Sequence, residues 1–200
     1  AAKNLTPVTL ELGGKSPCIV AADAPMKVAA RRILWGKLWN AGQTCVAPDY
    51  ILVERGAEQK LMDAFRATVQ EFYGDDAQAS PDFARIINAR HFDRLQGLLE
   101  GQTVSLGGKS DRDDLYIEPT VVRDVDPDSP LMQEEIFGPI LPMVSYGTLQ
   151  EAIDFVNDRE KPLALYVFTR KKATAEAILN NTSSGGAAVN VSVLHLGVPD

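Results

Sequence analysis

Trp35-Gly-Lys-Leu-Trp-Asn-Ala-Gly-Gln-Thr-Cys-Val-Ala-Pro-Asp-Tyr-Ile-Leu-Val53 changes character twice along its length. Trp35 to Trp39 is apolar and reads as the end of a buried helix. Ala41-Gly42-Gln43-Thr44 breaks that pattern with small and polar residues, and Pro48 biases Ala47 away from helix. Tyr50 to Val53 then reads as a strand. Cys45 is thus expected on a short loop between a helix and a strand, where backbone N–H groups can point at a bound molecule. A cysteine alone says little, because free cysteines are mostly small buried hydrophobes.

The same alternation extends in both directions. Upstream, Val8 to Leu12 reads as a strand or extended linker, Gly13-Gly14 as a turn and Ser16 to Ala21 as an apolar strand containing Cys18. Asp23 is the expected N-cap of a helix reaching Leu38, with Pro25 in its first turn and Val28, Ile33 and Leu34 near one face. Downstream, helical spacing predicts helices over Ala57 to Tyr73, Asn88 to Leu99, Leu149 to Asn157 and Ala173 to Asn181. Strands are expected at Thr103 to Leu106, Tyr116 to Val122 (Pro119 on an edge), Ile140 to Tyr146, Leu163 to Thr169 and Ala187 to Val191. Strands alternating with helices imply an α/β domain: a mainly parallel sheet with helices on both faces.

Composition narrows the function. The 200 residues are 45% hydrophobic and 24% charged with a net charge of −7, ordinary values for a soluble domain. No basic stripe is present to neutralise phosphates, which argues against a nucleic-acid partner. No apolar run approaches a membrane span. Two cysteines cannot build a disulfide framework, so a reducing compartment, and a cytoplasmic location, are expected. Two glycine-rich stretches, Gly13-Gly14-Lys15-Ser16 and Gly107-Gly108-Lys109-Ser110, imitate the tail of a phosphate-binding loop, but Thr9 and Thr103 stand where that pattern needs glycine. Asp124-x-Asp126-x-Asp128 with Glu135 imitates a calcium loop, yet Ser129 replaces the required glycine and Pro127 and Pro130 stiffen it, so no metal is expected.

Three segments occur in order: Thr9-Leu-Glu-Leu-Gly-Gly-Lys15, Gly42-Gln-Thr-Cys45 and Glu134-Glu-Ile-Phe-Gly-Pro139. They resemble the signature segments of the aldehyde dehydrogenase superfamily. The longer runs Gly42 to Tyr50 and Glu160 to Thr169 resemble its class 3 branch. The resemblance covers essentially the whole chain. It implies an NAD- or NADP-dependent oxidation of an aldehyde, aromatic or medium-chain, in a homodimeric parent. With the missing initiator Met and abrupt end, it also implies that residues 1–200 form one catalytic domain. A cofactor-binding domain would precede it and a glycine-rich segment follow.

The resemblance also assigns roles. Cys45 becomes the nucleophile, for which a thiolate is suited because it attacks well and later leaves well. Its own backbone N–H becomes one oxyanion donor, the second being an Asn outside this chain. Glu11 becomes the general base that activates water against the thioester; flanked by Leu10 and Leu12 it would sit on the opposite face from both, where an apolar setting would raise its pKa, while the residues alone read equally as a solvent-facing Glu at a strand end. Glu135 is implied to bond a ribose hydroxyl of the cofactor and Phe137 to pack near the nicotinamide; without the resemblance, Glu134-Glu135 reads as a charged loop and Phe137 as core. Asn190 matches a position near the substrate channel, and a strand-end polar residue explains it about as well. Cys18 reads as an inert core thiol. His91 and His195 leave open a cysteine–histidine hydrolase or acyl transferase, which would need one imidazole beside Cys45. A folded but inert scaffold is the remaining alternative, and thiol reactivity separates it from both enzymes.

Overall fold

The computed structural model describes residues 1–10 and 12–197; Glu11, one of the two expected catalytic residues, lies outside the described residues. Seven strands form one sheet in the order β3-β6-β7-β2-β1-β8-β9. They are β1 (Pro17–Val20), β2 (Tyr50–Glu54), β3 (Thr103–Leu106), β6 (Thr120–Arg123), β7 (Ile140–Tyr146), β8 (Ala164–Phe168) and β9 (Gly186–Val189). Every pairing is parallel except β3 with β6 at one edge. β4 (Ser110–Asp111) and β5 (Tyr116–Ile117) make a separate antiparallel pair.

The helices are α1 (Met26–Leu38), α2 (Glu58–Tyr73), α3 (Ala89–Leu99), α4 (Pro130–Gln133), α5 (Leu149–Asn157) and α6 (Lys172–Asn181). The connection from β1 to β2 steps one way along the sheet, while those from β7 to β8 and β8 to β9 step the other way. Right-handed crossovers therefore place α1 on one face and α5 and α6 on the opposite face. α2 packs beside α1, and α6 beside α5. The central strands are covered on both sides, which is why β1 and β8 are buried at every position instead of alternating. Register aligns Met143, Ile51, Cys18, Tyr166 and Ala188 in one row across five strands.

Several local expectations need correction. Asp23 does not cap α1: Pro25 holds the N-cap position, and the Asp23 carboxylate instead accepts from Thr169 Oγ1 at 2.8 Å and from the Arg170 N–H at 3.3 Å. It ties the exit of β1 to the exit of β8. Within α1, Ile33 and Leu34 are buried, but Val28 is 41% exposed and Trp35 and Trp39 are 44% and 55% exposed. The residues buried between the tryptophans are Gly36, Lys37 and Leu38. The run Tyr116 to Val122 is two strands, because Pro119 has no N–H to give a ladder and the chain changes sheets there. Val8 to Leu12 is not a strand in its described positions, and Leu10 and Leu12 are both exposed. No helix among the described residues is long and apolar enough to cross a membrane.

Candidate active site

The loop before β2 begins with a reversal of handedness. Asn40, Ala41 and Gly42 have φ of 53°, 51° and 77°, so α1 ends in a left-handed turn. Glycine adopts that region freely and Asn with little penalty; for Ala41 it costs on the order of 1–2 kcal/mol. Gly42 is required for a second reason: a Cβ there would overlap the Gly138 carbonyl. The turn therefore seats directly on the Glu134 to Pro139 segment. Gln43 locks it from the other side, its amide donating to the carbonyls of Asn40 and Arg85, both at 3.0 Å, and accepting from the Ile87 N–H at 2.9 Å. The Ala47 N–H closes a turn on the Thr44 carbonyl at 3.0 Å. Cys45 stands exposed on this anchored loop, whereas Cys18 is fully buried and its thiol is pushed well above the usual range by burial.

Asp49, which sequence reasoning passed over, joins the three signature segments. It is 3% exposed; Oδ1 accepts from the Ile136 N–H at 2.9 Å, and Oδ2 pairs with Lys15. Lys15 also donates to the carbonyls of Leu131 at 3.0 Å and Glu134 at 2.8 Å. The Asp49 N–H bonds the Ser16 carbonyl at 2.8 Å. One buried carboxylate thus holds the approach to β1, the exit of the Cys45 loop and the Glu135 segment together. A charge this buried is tolerated only when paired and hydrogen-bonded, as here.

A second clamp comes from α3. Asn88 caps it by accepting from the His91 N–H, and His91 and Arg94 then lie one turn apart on one face. Arg94 donates to Glu134 Oε2 at 2.6 Å, to the Glu135 carbonyl at 3.3 Å and to the Ile136 carbonyl. His91 Nε2 bonds the Phe137 carbonyl at 2.7 Å. Four consecutive residues are gripped, which explains how Phe137 holds a left-handed φ of 54° with its side chain 37% exposed.

The Glu135 carboxylate lies beside the Gly13-Gly14 turn, so close to Gly13 that a Cβ there would strike it. Burial raises its pKa, with the nearby Asp49 carboxylate adding to the effect. It lines a cleft of about 840 Å³ with Gly13, Gly14, Lys15 and Lys161. Lys37 is fully buried close by. Burial lowers its pKa from 10.5 to about 8, Asp49 and Glu135 opposing the shift and Lys15 adding to it.

Not every expected residue converges. Asn190 has φ 59°; its amide accepts from the Thr169 N–H at 3.0 Å and donates to the Thr169 carbonyl at 2.9 Å. It extends the β8–β9 ladder by one rung, so the geometry favours the strand-end reading. His195 packs on the Tyr166 ring with centroids 5.7 Å apart, and His91 is committed to Phe137. Beside the loop, Trp35 and Trp39 stack with centroids 5.6 Å apart, and the Trp39 carbonyl accepts from Thr44 Oγ1 at 3.4 Å. Their i, i+4 spacing could have announced a shared face, but nothing in the sequence says that face is uncovered.

A sequence model of the Aldehyde dehydrogenase family matches residues 1–197. The chain belongs to the aldehyde dehydrogenase family. It is 54% identical over 198 residues to rat (Rattus norvegicus) aldehyde dehydrogenase family 3 member A2, covering 99% of this chain and 41% of that protein. It is 53% identical over 199 residues to the rat dimeric NADP-preferring aldehyde dehydrogenase, covering 100% and 44%. Among solved structures, a substrate-bound Staphylococcus aureus AldH superposes with a TM-score of 0.97 at 50% identity, covering 99% of this chain and 44% of that one. A Staphylococcus aureus betaine aldehyde dehydrogenase, in complex with NAD+ and with a BME-modified cysteine, superposes with a TM-score of 0.84 at 34% identity, covering 96% and 41%. This aldehyde dehydrogenase chain therefore spans less than half the length of the relatives it matches. The sheet and its helices are those of the family's fold, and the sequence likeness is class 3-like.

Proposed function

We propose that the protein carrying this chain oxidises an aldehyde to a carboxylic acid with NAD or NADP, Cys45 being the nucleophile. The Asp49 junction carries the reading: it fixes an exposed thiol loop, a half-buried carboxylate and the Gly13-Gly14 turn in one place. The Cys45 thiolate adds to the aldehyde carbon, and the resulting alkoxide is met by the Cys45 backbone N–H. Glu135 and Phe137 would hold the nicotinamide cofactor, which when bound would supply the hydride acceptor for that carbon; loss of hydride from the adduct leaves a thioester on Cys45. Glu11 takes a proton from water as its oxygen adds to the thioester; the C–S bond then breaks, returning the thiolate and releasing the acid.

The residues present fit the cofactor. Glu135 offers acceptors to ribose hydroxyls from a cleft wall where Gly13 leaves room only for hydrogen, and Phe137 presents an exposed ring from a clamped backbone. The Trp35–Trp39 pair offers an apolar wall, which suits an aromatic or medium-chain aldehyde. A relative named dimeric supports a homodimer, and a reactive thiol suits the reducing cytoplasm. In the full-length protein Glu11→Gln should leave the first turnover fast and slow the steady state, giving a burst of reduced cofactor. If the burst itself is lost, Glu11 acts before hydride transfer and its assignment as hydrolytic base fails.

A further inference from the structure

Tyr166 lies in the middle of β8, fully buried, in register with Cys18 on one side and Ala188 on the other. A buried phenol needs a partner for its O–H, and a buried loop carbonyl needs a donor. Here each satisfies the other: Tyr166 Oη donates to the Val46 carbonyl at 2.6 Å. Val46 follows Cys45 directly and is itself only 2% exposed. The packing makes the contact specific. Ala188, the small register partner on β9, leaves room beside the ring, and His195 closes over it.

We propose that Tyr166 is a positioning residue for the nucleophile, holding the backbone just after Cys45 so that the Cys45 N–H meets the oxyanion. The proposal rests on the nucleophilic role argued above. Gln43 anchors the loop two residues before the thiol and Tyr166 one residue after it, so the Cys45 peptide is fixed from both sides. Without the phenol the carbonyl loses its only side-chain partner among the described residues, and the far side of the loop is restrained only by the Thr44–Ala47 turn and, four residues past the thiol, by Asp49. An N–H that drifts by a fraction of an ångström stops stabilising an alkoxide, while the thiol itself remains accessible.

Two reactions of Cys45 separate these effects. Hydrolysis of p-nitrophenyl acetate passes through an oxyanion; alkylation by iodoacetamide does not. In the full-length protein, Tyr166→Phe keeps the ring and its packing. It should lower kcat for ester hydrolysis and for aldehyde oxidation about tenfold with KM little changed, while Cys45 alkylation stays within about twofold of wild type. Replacing Tyr166 with p-aminophenylalanine, which restores a donor at the same place, should recover most of the lost rate. Wild-type kcat in Tyr166→Phe, an equal fall in both reactions, failure of that variant to fold, or no recovery with p-aminophenylalanine would each overturn the proposal. If the wild-type protein itself hydrolyses no ester and oxidises no aldehyde, it is the nucleophilic reading of Cys45 that fails.

Discussion

Lys37 is the residue whose environment departs most from what its type prefers: an ammonium with 1% of its surface exposed, in the last turn of α1 between two tryptophans. Because its folded pKa of about 8 lies below the ordinary 10.5, the folded state binds fewer protons than the unfolded state between those values. Stability from this group therefore rises as pH climbs from about 8 toward 10.5, and its full cost, about 3 kcal/mol by linkage, is felt below 8. Lys37→Met should melt higher than wild type at pH 7, and the gap should narrow by pH 10; a constant gap would show that the ammonium is better solvated than the structure indicates. Glu135 runs the other way. Its raised pKa means stability lost as pH rises from 4.5 through the folded value. The two thiols give the sharpest contrast: Cys45 should be alkylated by iodoacetamide faster than Cys18, since one is exposed on a loop and the other buried in β1. Peptide mass mapping after brief labelling would show it, and equal labelling would count against the loop geometry. At this scale the sequence offered the residues proposed to do chemistry, because thiol and carboxylate motifs are short and local. It hid those that hold them. Asp49 after Pro48 looks like a turn residue and Tyr166 like core, and their partners are 87 and 120 positions away.

At the scale of elements, the regular strands and helices could be read closely. β7 and α5 have the bounds that periodicity predicts, and β2, α2 and α3 differ by a residue. What escaped was set by neighbours. Tyr116 to Val122 splits because Pro119 carries the chain from one sheet to another, and four-residue α4 is too short to have a period. The uncovered side of α1 looks like a buried one because amphipathicity marks an apolar face without saying what covers it. The α3 clamp on residues 134–137 allows a test of the proposed cofactor-binding role of that segment. Arg94→Met removes three donors to residues 134–136 but leaves the Cys45 loop anchored by Gln43 and Asp49. Its expected signature in the full-length protein is a cofactor KM raised about tenfold, with Cys45 alkylation unchanged and stability lower by about 1–3 kcal/mol. A matching loss of alkylation would mean that the clamp supports the whole site and not the Glu135 segment alone.

Across the whole molecule, the sheet explains why distant segments act together. β1 and β2 are adjacent and parallel, so the approach to β1 and the loop before β2 arrive at the same end of the sheet, and β7 brings the Glu135 segment beside them. That convergence followed from the alternation of strands and helices, whereas the strand order itself did not: it depends on long-range pairing that no local pattern encodes. The central claim is that this convergence makes Cys45 the atom that carries the acyl group. Its most direct test is rapid quenching of the full-length Glu11→Gln protein after mixing with an aldehyde and NAD or NADP, followed by peptide mass mapping. The account predicts a mass increase equal to the acyl group on the peptide containing Cys45, near one per chain, formed together with the burst of reduced cofactor. Reduced cofactor formed with no acyl group on Cys45, or with turnover surviving Cys45→Ser, would contradict it.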